Sequence, residues 1–163
     1  MRAVFLLLAL ATSASAAPLI GSTADLRSTP LCRTYTCTLL KTHTVSSAAE
    51  NVIVAPGGSV VQYRLTAGTV VFDVWVGRGK AKTVTDVWAR PRAPMNRAAL
   101  PPAAELIRVT ADISASGAMK AAEHWLKEAT NPGTGAERLY VTPTIYVNAA
   151  GKDGNFLIIL KND

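Results

Sequence analysis

The sequence is poor in the residues that usually announce a reaction. Its 163 residues include only two cysteines and two histidines. A catalytic histidine needs an orienting partner and a nucleophile, and no Gly-x-Ser-x-Gly elbow supplies one. The cysteines, Cys32 and Cys37, are not spaced as Cys-x-x-Cys, the usual setting of a reactive thiolate. Together with His43 and His124 they could offer four metal ligands, but the spacing matches no standard zinc pattern. Gly77-Arg78-Gly79-Lys80 is too short for a phosphate loop and no helix follows it, so it reads as a hairpin turn. No motif calls for a cofactor or a metal.

Long apolar runs are also scarce. The one that stands out is Ala3–Ala11, preceded by Arg2 and followed by Ala14-Ser15-Ala16. This is the charge, apolar core and small-residue order of a signal peptide over residues 1–16, with cleavage before Ala17. It is too short to be a stable membrane anchor, and no later stretch reaches transmembrane length. The expectation is an exported protein, periplasmic or extracellular, with no integral membrane segment after signal removal.

In that setting an even, closely spaced cysteine pair reads as a disulfide. On a straight strand, positions 32 and 37 point to opposite faces. A Cys32–Cys37 bridge therefore predicts a turn within Arg33–Thr36.

Acidic residues are the minority, 11 against 17 lysines and arginines, for a formal charge of +6. Removing residues 1–16 removes Arg2 and leaves +5. Such a protein is drawn to anionic surfaces, which says nothing by itself about specificity.

The hydrophobic content of 49% is enough for one packed domain. Residues 17–30 are small and polar and read as a loosely ordered lead-in, with a single domain over 31–163. Thr34–Val45 suits a strand with one exposed face, and Val52–Val54 a short strand ended by Pro56-Gly57-Gly58. Strands over Ser59–Leu65, Thr69–Val76 and Thr83–Ala89 then form a meander, with Gly68 in the first turn. Val70, Phe72, Val74 and Val76 make an unbroken apolar face directed to the core.

Pro91, Pro94, Pro101 and Pro102 exclude a central strand beyond Arg90. Residues 103–113 read as a helix opened by the prolines, although the β-branched Ile107, Val109, Thr110 and Ile113 leave a strand open. Ala118–Ala129 shows helical spacing at Met119, Ala122, Trp125, Leu126 and Ala129, stopped by Asn131-Pro132-Gly133. The C-terminal part reads as a hairpin. Leu139–Val147 is one strand interrupted by Pro143, residues 149–154 turn, and Phe156–Leu160 is apolar enough for a central position. The fold class expected is α+β, a mainly antiparallel sheet (meander plus C-terminal hairpin) packed against one or two helices.

The chemistry-bearing residues gather around Val60–Trp88. Asp-Val-Trp occurs twice there, at Asp73–Trp75 and Asp86–Trp88. One hairpin register would put Asp73 opposite Asp86, and paired carboxylates with an adjacent tryptophan suit a small hydrolase acting on sugars. A one-residue slip would send them to opposite faces. A solvated face, with these aspartates paired to lysine and arginine, is the plainer alternative. Residues 78–97 carry Arg78, Lys80, Lys82, Arg90, Arg92 and Arg97 against Asp86 alone. This stretch could hold an anionic wall or extracellular polymer, with Trp75 and Trp88 adding stacking; basic residues that protect a sheet edge look the same. The reading is an exported, non-catalytic binding or surface-associated module. Its expected surface is Asp73, Trp75, Arg78, Lys80, Lys82, Asp86, Trp88, Arg90 and Arg92, and the alternatives are the polymer binder and the hydrolase.

Overall fold

The computed structural model describes residues 17–48, 54–92, 95–130, 138–150 and 156–161. The expected signal peptide, most of the expected Val52–Val54 strand, the expected helix stop at Asn131–Gly133 and most of the expected 149–154 turn lie outside them. The elements in chain order are α1 (Pro30–Thr34), β1 (Thr36–Thr44), β2 (Ser59–Ala67), β3 (Val70–Arg78), β4 (Val84–Pro91), α2 (Leu100–Ala111), α3 (Ala115–Thr130), β5 (Arg138–Thr142), β6 (Ile145–Ala150) and β7 (Phe156–Lys161). Among the described residues the strands form one antiparallel sheet in the order β1-β2-β3-β4-β7-β6-β5.

The fold is α+β. The meander β1–β4 and the C-terminal strands share the sheet, and α2 and α3 supply the helical layer. Alternation decides which face meets the helices. Phe72, Val74 and Val76 on β3 are buried, as are Tyr63 and Leu65 on β2 and Val87 and Ala89 on β4. Trp125 on α3 seats its ring 6.1 Å from that of Phe72, and neither side chain reaches solvent. Prolines at the start of α2 lack the N–H that a first helical turn leaves unpaired. Burial of Leu106, Ile107 and Val109 then outweighs the strand preference of the β-branched residues, and 103–113 is helical up to Ala111. At the start of α3, the Ser114 Oγ accepts from the Gly117 N–H at 3.1 Å, a cap the composition alone did not advertise.

Three expectations need correction. Residues 17–30 are not loosely ordered. Leu19, Ile20 and Leu26 are buried. Leu19 N–H donates to the Val109 carbonyl at 2.9 Å, and Gly21 N–H and Val84 N–H tie this segment to β4 at 2.8 Å each. The signal was three isolated apolar residues without any period, which burial exploits and pattern reading passes over. Second, Leu139–Val147 is not one strand. Pro143 and Thr144 form the turn between β5 and β6, so the C-terminal part is a three-stranded meander with β7 between β4 and β6. Proline without a donor suits a turn better than a bulge. Third, β1 is exposed on both faces for nearly its whole length, Leu39 and Leu40 included.

The Cys32–Cys37 disulfide is present, with Cα atoms 5.3 Å apart. It joins α1 to the start of β1 across Tyr35, where the helix ends and the chain turns into the sheet. A loop this short gives on the order of 2 kcal/mol by constraining the unfolded chain.

Candidate functional site

The sheet face turned away from the helices carries most of the residues singled out by the sequence. Register arranges them in rows across the strands. Gln62, Trp75 and Trp88 lie side by side on β2, β3 and β4, followed by Ile158 on β7. One step along the strands, Arg64, Asp73 and Arg90 form a parallel row. One step the other way come Val60, Gly77 and Asp86.

Trp75 and Trp88 are direct cross-strand neighbours. Their rings stack at 6.1 Å between centroids and 11° between planes. Offset stacking of this kind adds to area burial. Both rings are only partly covered. Val45, Val54 and Val60 form a small buried cluster against which the two tryptophans pack, so the chain between β1 and β2 folds back over this face. Backbone bonds between Val45 and Gly57 and between Val45 and Gly58, at 2.8 and 2.9 Å, pin its neck.

Asp73 sits among arginines. Arg64 donates from Nε and Nη2 to its Oδ1 at 3.3 Å, and Arg92 Nε approaches Oδ2 at 3.6 Å. Arg90 stands opposite it in register. Three guanidinium-bearing positions around one carboxylate leave this part of the face positive.

Asp86 is placed differently. Its side chain is 2% exposed. Thr85 Oγ1 donates to Oδ2 at 2.7 Å, while Oδ1 has no hydrogen-bond partner among the described residues. Burial pushes the carboxyl up to about 6, against a smaller downward pull from the Thr85 hydroxyl. The residue across the strand explains how a carboxylate fits. A Cβ at Gly77 would collide with both Asp86 oxygens and stand 2.5 Å from its carboxyl carbon. Gly77 is thus the room in which Asp86 lies. Gly77→Ala should destabilise the fold by about 1–3 kcal/mol through overpacking. The double variant Gly77→Ala/Asp86→Ala should recover most of that loss in urea unfolding. Additive losses would show that the two positions do not share space.

The register separates the two aspartates. Asp86 faces Gly77, not Asp73, so the carboxylates are four positions apart along the strands, roughly 13 Å at about 3.3 Å per residue. Each leans on its own partners, and the tryptophan pair stands between them. Glycosidase carboxyls work at roughly 5–10 Å, so this face does not assemble the expected pair. In the sequence the turn leaves the register open. It runs from Gly79 to Thr83 with Lys82 at φ 62°, and a bulge follows Gly77, which shifts every pairing by four.

The basic segment does not form one patch either. Arg90 and Arg92 belong to the Asp73 end of the open face. Arg78, at the end of β3, and Lys82, in the turn before β4, lie roughly 20 Å away along the strands. Arg78 reaches across to the N-terminal segment, donating to the carbonyls of Thr23, Ala24 and Lys82 at 3.2, 2.6 and 2.9 Å. Lys80 lays its stem beside Gly57. The valine cluster, which the sequence did not mark as part of the surface, is brought in instead, and Arg64 pairs with Asp73 as the plainer alternative of a solvated, ion-paired face expected.

His43 is exposed on β1. His124 is half-buried, with Nε2 lacking a partner among the described residues, which differs from the solvated helix position its spacing suggests. Among the described residues no three histidine, cysteine, aspartate or glutamate side chains gather where a metal could be held. No helix among them is long and apolar enough to cross a membrane. No family model matches the chain, and neither a curated protein nor a solved structure shows significant similarity to it. Geometry therefore carries the functional reading.

Proposed function

We propose that this is an exported, non-catalytic binding module that takes an acidic polysaccharide on the open face of its sheet. The observation that carries this reading is the stacked, partly buried Trp75–Trp88 pair, bordered by Arg64, Arg90 and Arg92. Apolar faces of sugar rings stack on indoles, and acidic groups along the same polymer meet guanidinium groups that are planar, weakly hydrated and always charged. A row of side chains running across several strands suits an extended polymer better than a small molecule, which needs concavity. The Cys32–Cys37 disulfide supports an oxidising compartment, in keeping with export.

The experiment is affinity electrophoresis or titration against polygalacturonate, with neutral dextran as control. Trp88→Ala and Arg92→Glu should each weaken binding about tenfold, worth about 1.4 kcal/mol. Added salt should weaken it further, since bound cations are released from the polymer's counter-ion atmosphere. Equal retention of the neutral and acidic polymers, or affinity unmoved by either substitution, would refute the reading.

A further inference from the structure

A second site lies on the other side of the sheet. Towards the β1 edge the covering layer is the N-terminal segment rather than α2 and α3. Between that segment and strands β1 and β2 is a cavity of about 550 Å³. This is within the range of small-molecule sites, roughly 300–1,000 Å³.

Its walls are unequal in charge. Arg27, Arg78 and Lys82 line it against a single acid, Asp25. Asp25 is already engaged, since Arg27 donates to it from Nε at 3.0 Å, from Nη2 at 2.9 Å and from the backbone at 2.8 Å. Those bonds hold its carboxyl below the usual carboxylate range. Arg78 is fixed by three backbone carbonyls, neutral groups that orient the guanidinium and leave its charge in place. No carboxylate pairs with Arg78 or Lys82 among the described residues. Beside Thr23, Thr42 and Ser59 the cavity has an apolar part in an informative place. Val61 and the fully buried Tyr63 form its floor, and Leu39, 40% exposed, stands at its rim. A large aliphatic side chain left in water beside an unbalanced cationic wall fits a ligand with both characters.

We propose that this cavity binds a small anionic amphiphile. Its carboxylate or phosphate monoester head sits at Arg78 and Lys82, and a short apolar chain crosses Leu39 and Val61. The Arg78 Nε–H and its remaining Nη2–H, with the Lys82 ammonium beside them, can donate to either head. The chain removes Leu39 from water, which contributes in proportion to the apolar area covered. This site shares no residue with the tryptophan face.

Calorimetric titration of the full chain with octanoate, octyl phosphate, 1-octanol, acetate and inorganic phosphate tests it. At least one of the two charged octyl compounds should bind about tenfold tighter than octanol, acetate or phosphate, and which of the two wins identifies the head. Lys82→Gln should weaken that binding severalfold, and so should Leu39→Ser; both side chains are exposed and their loss spares the core. Trp88→Ala should leave it unchanged. The proposal is overturned if no probe binds, if octanol binds as well as octanoate and octyl phosphate, if both cavity substitutions are silent, or if Trp88→Ala abolishes binding.

Discussion

Asp86→Asn is expected to stabilise the protein at pH 7 by on the order of 3 kcal/mol, and to add almost nothing at pH 3.5. The Asp86 carboxyl is raised from its ordinary 3.8 to about 6 because burial penalises its charged form. An acid raised in this way binds its proton more tightly in the folded state. Its neutral form is therefore fully compatible with the fold below about pH 4. Between about 4 and 6 the unfolded chain has lost the proton while the folded protein retains it, and stability falls by about 1.4 kcal/mol per pH unit. Above 6 both states are ionised and the cost is constant. Asparagine keeps the shape beside Gly77 and carries no charge at any pH. The difference between wild type and variant, measured by urea unfolding from pH 3.5 to 7.5, should trace that single step. A difference flat across the range would mean that the carboxylate is solvated or paired in the folded protein.

Trp125→Ala should cost about 3–5 kcal/mol, the usual loss for a fully buried large aromatic. Trp125 is the largest side chain wholly out of solvent, and it joins α3 to the sheet through Phe72. Trp125→Phe should recover much of the loss by keeping a ring near Phe72, although the smaller side chain leaves some space empty. The measurement is the denaturation midpoint at constant urea dependence. A midpoint shift for Trp125→Ala no larger than that of a surface substitution would show that α3 is not anchored there.

The strand faces of β2–β4 were readable because burial on one side imposes a period of two, and Phe72, Val74 and Val76 could belong to no other pattern. The core of α3 followed from spacing, although the helix starts at Ala115, inside the stretch read as a break; for α2 the prolines favoured a helix while β-branched residues left a strand open. The register between β3 and β4 was not readable. It depends on the backbone of a five-residue turn and a bulge, and Gly79 alone does not specify either. For that reason the pairing of Asp73 with Asp86 stood only as one possible register, and the structure takes another. The burial of Asp86 was hidden for another reason. Alternation assigns it to the face away from the helices, and nothing in β4 itself says that Val45 and Val54 return to cover that face. The glycine opposite it was the available clue, since a glycine inside a strand often marks close approach. For Trp75 and Trp88 alternation gave the face, and the structure added that they touch.

The hydrogen bonds that anchor Leu19, Gly21 and Ser22 have a kinetic consequence. Their partners lie on β4 and at the end of α2, far along the chain. Local contacts form early and loops of this length close late, so this strap should dock after the meander and helices have condensed. Docked last, it is also the natural first segment to detach. Amide exchange at Leu19 and Gly21 should then report a partial opening well below the free energy of global unfolding, with Arg78 as the latch whose removal speeds it.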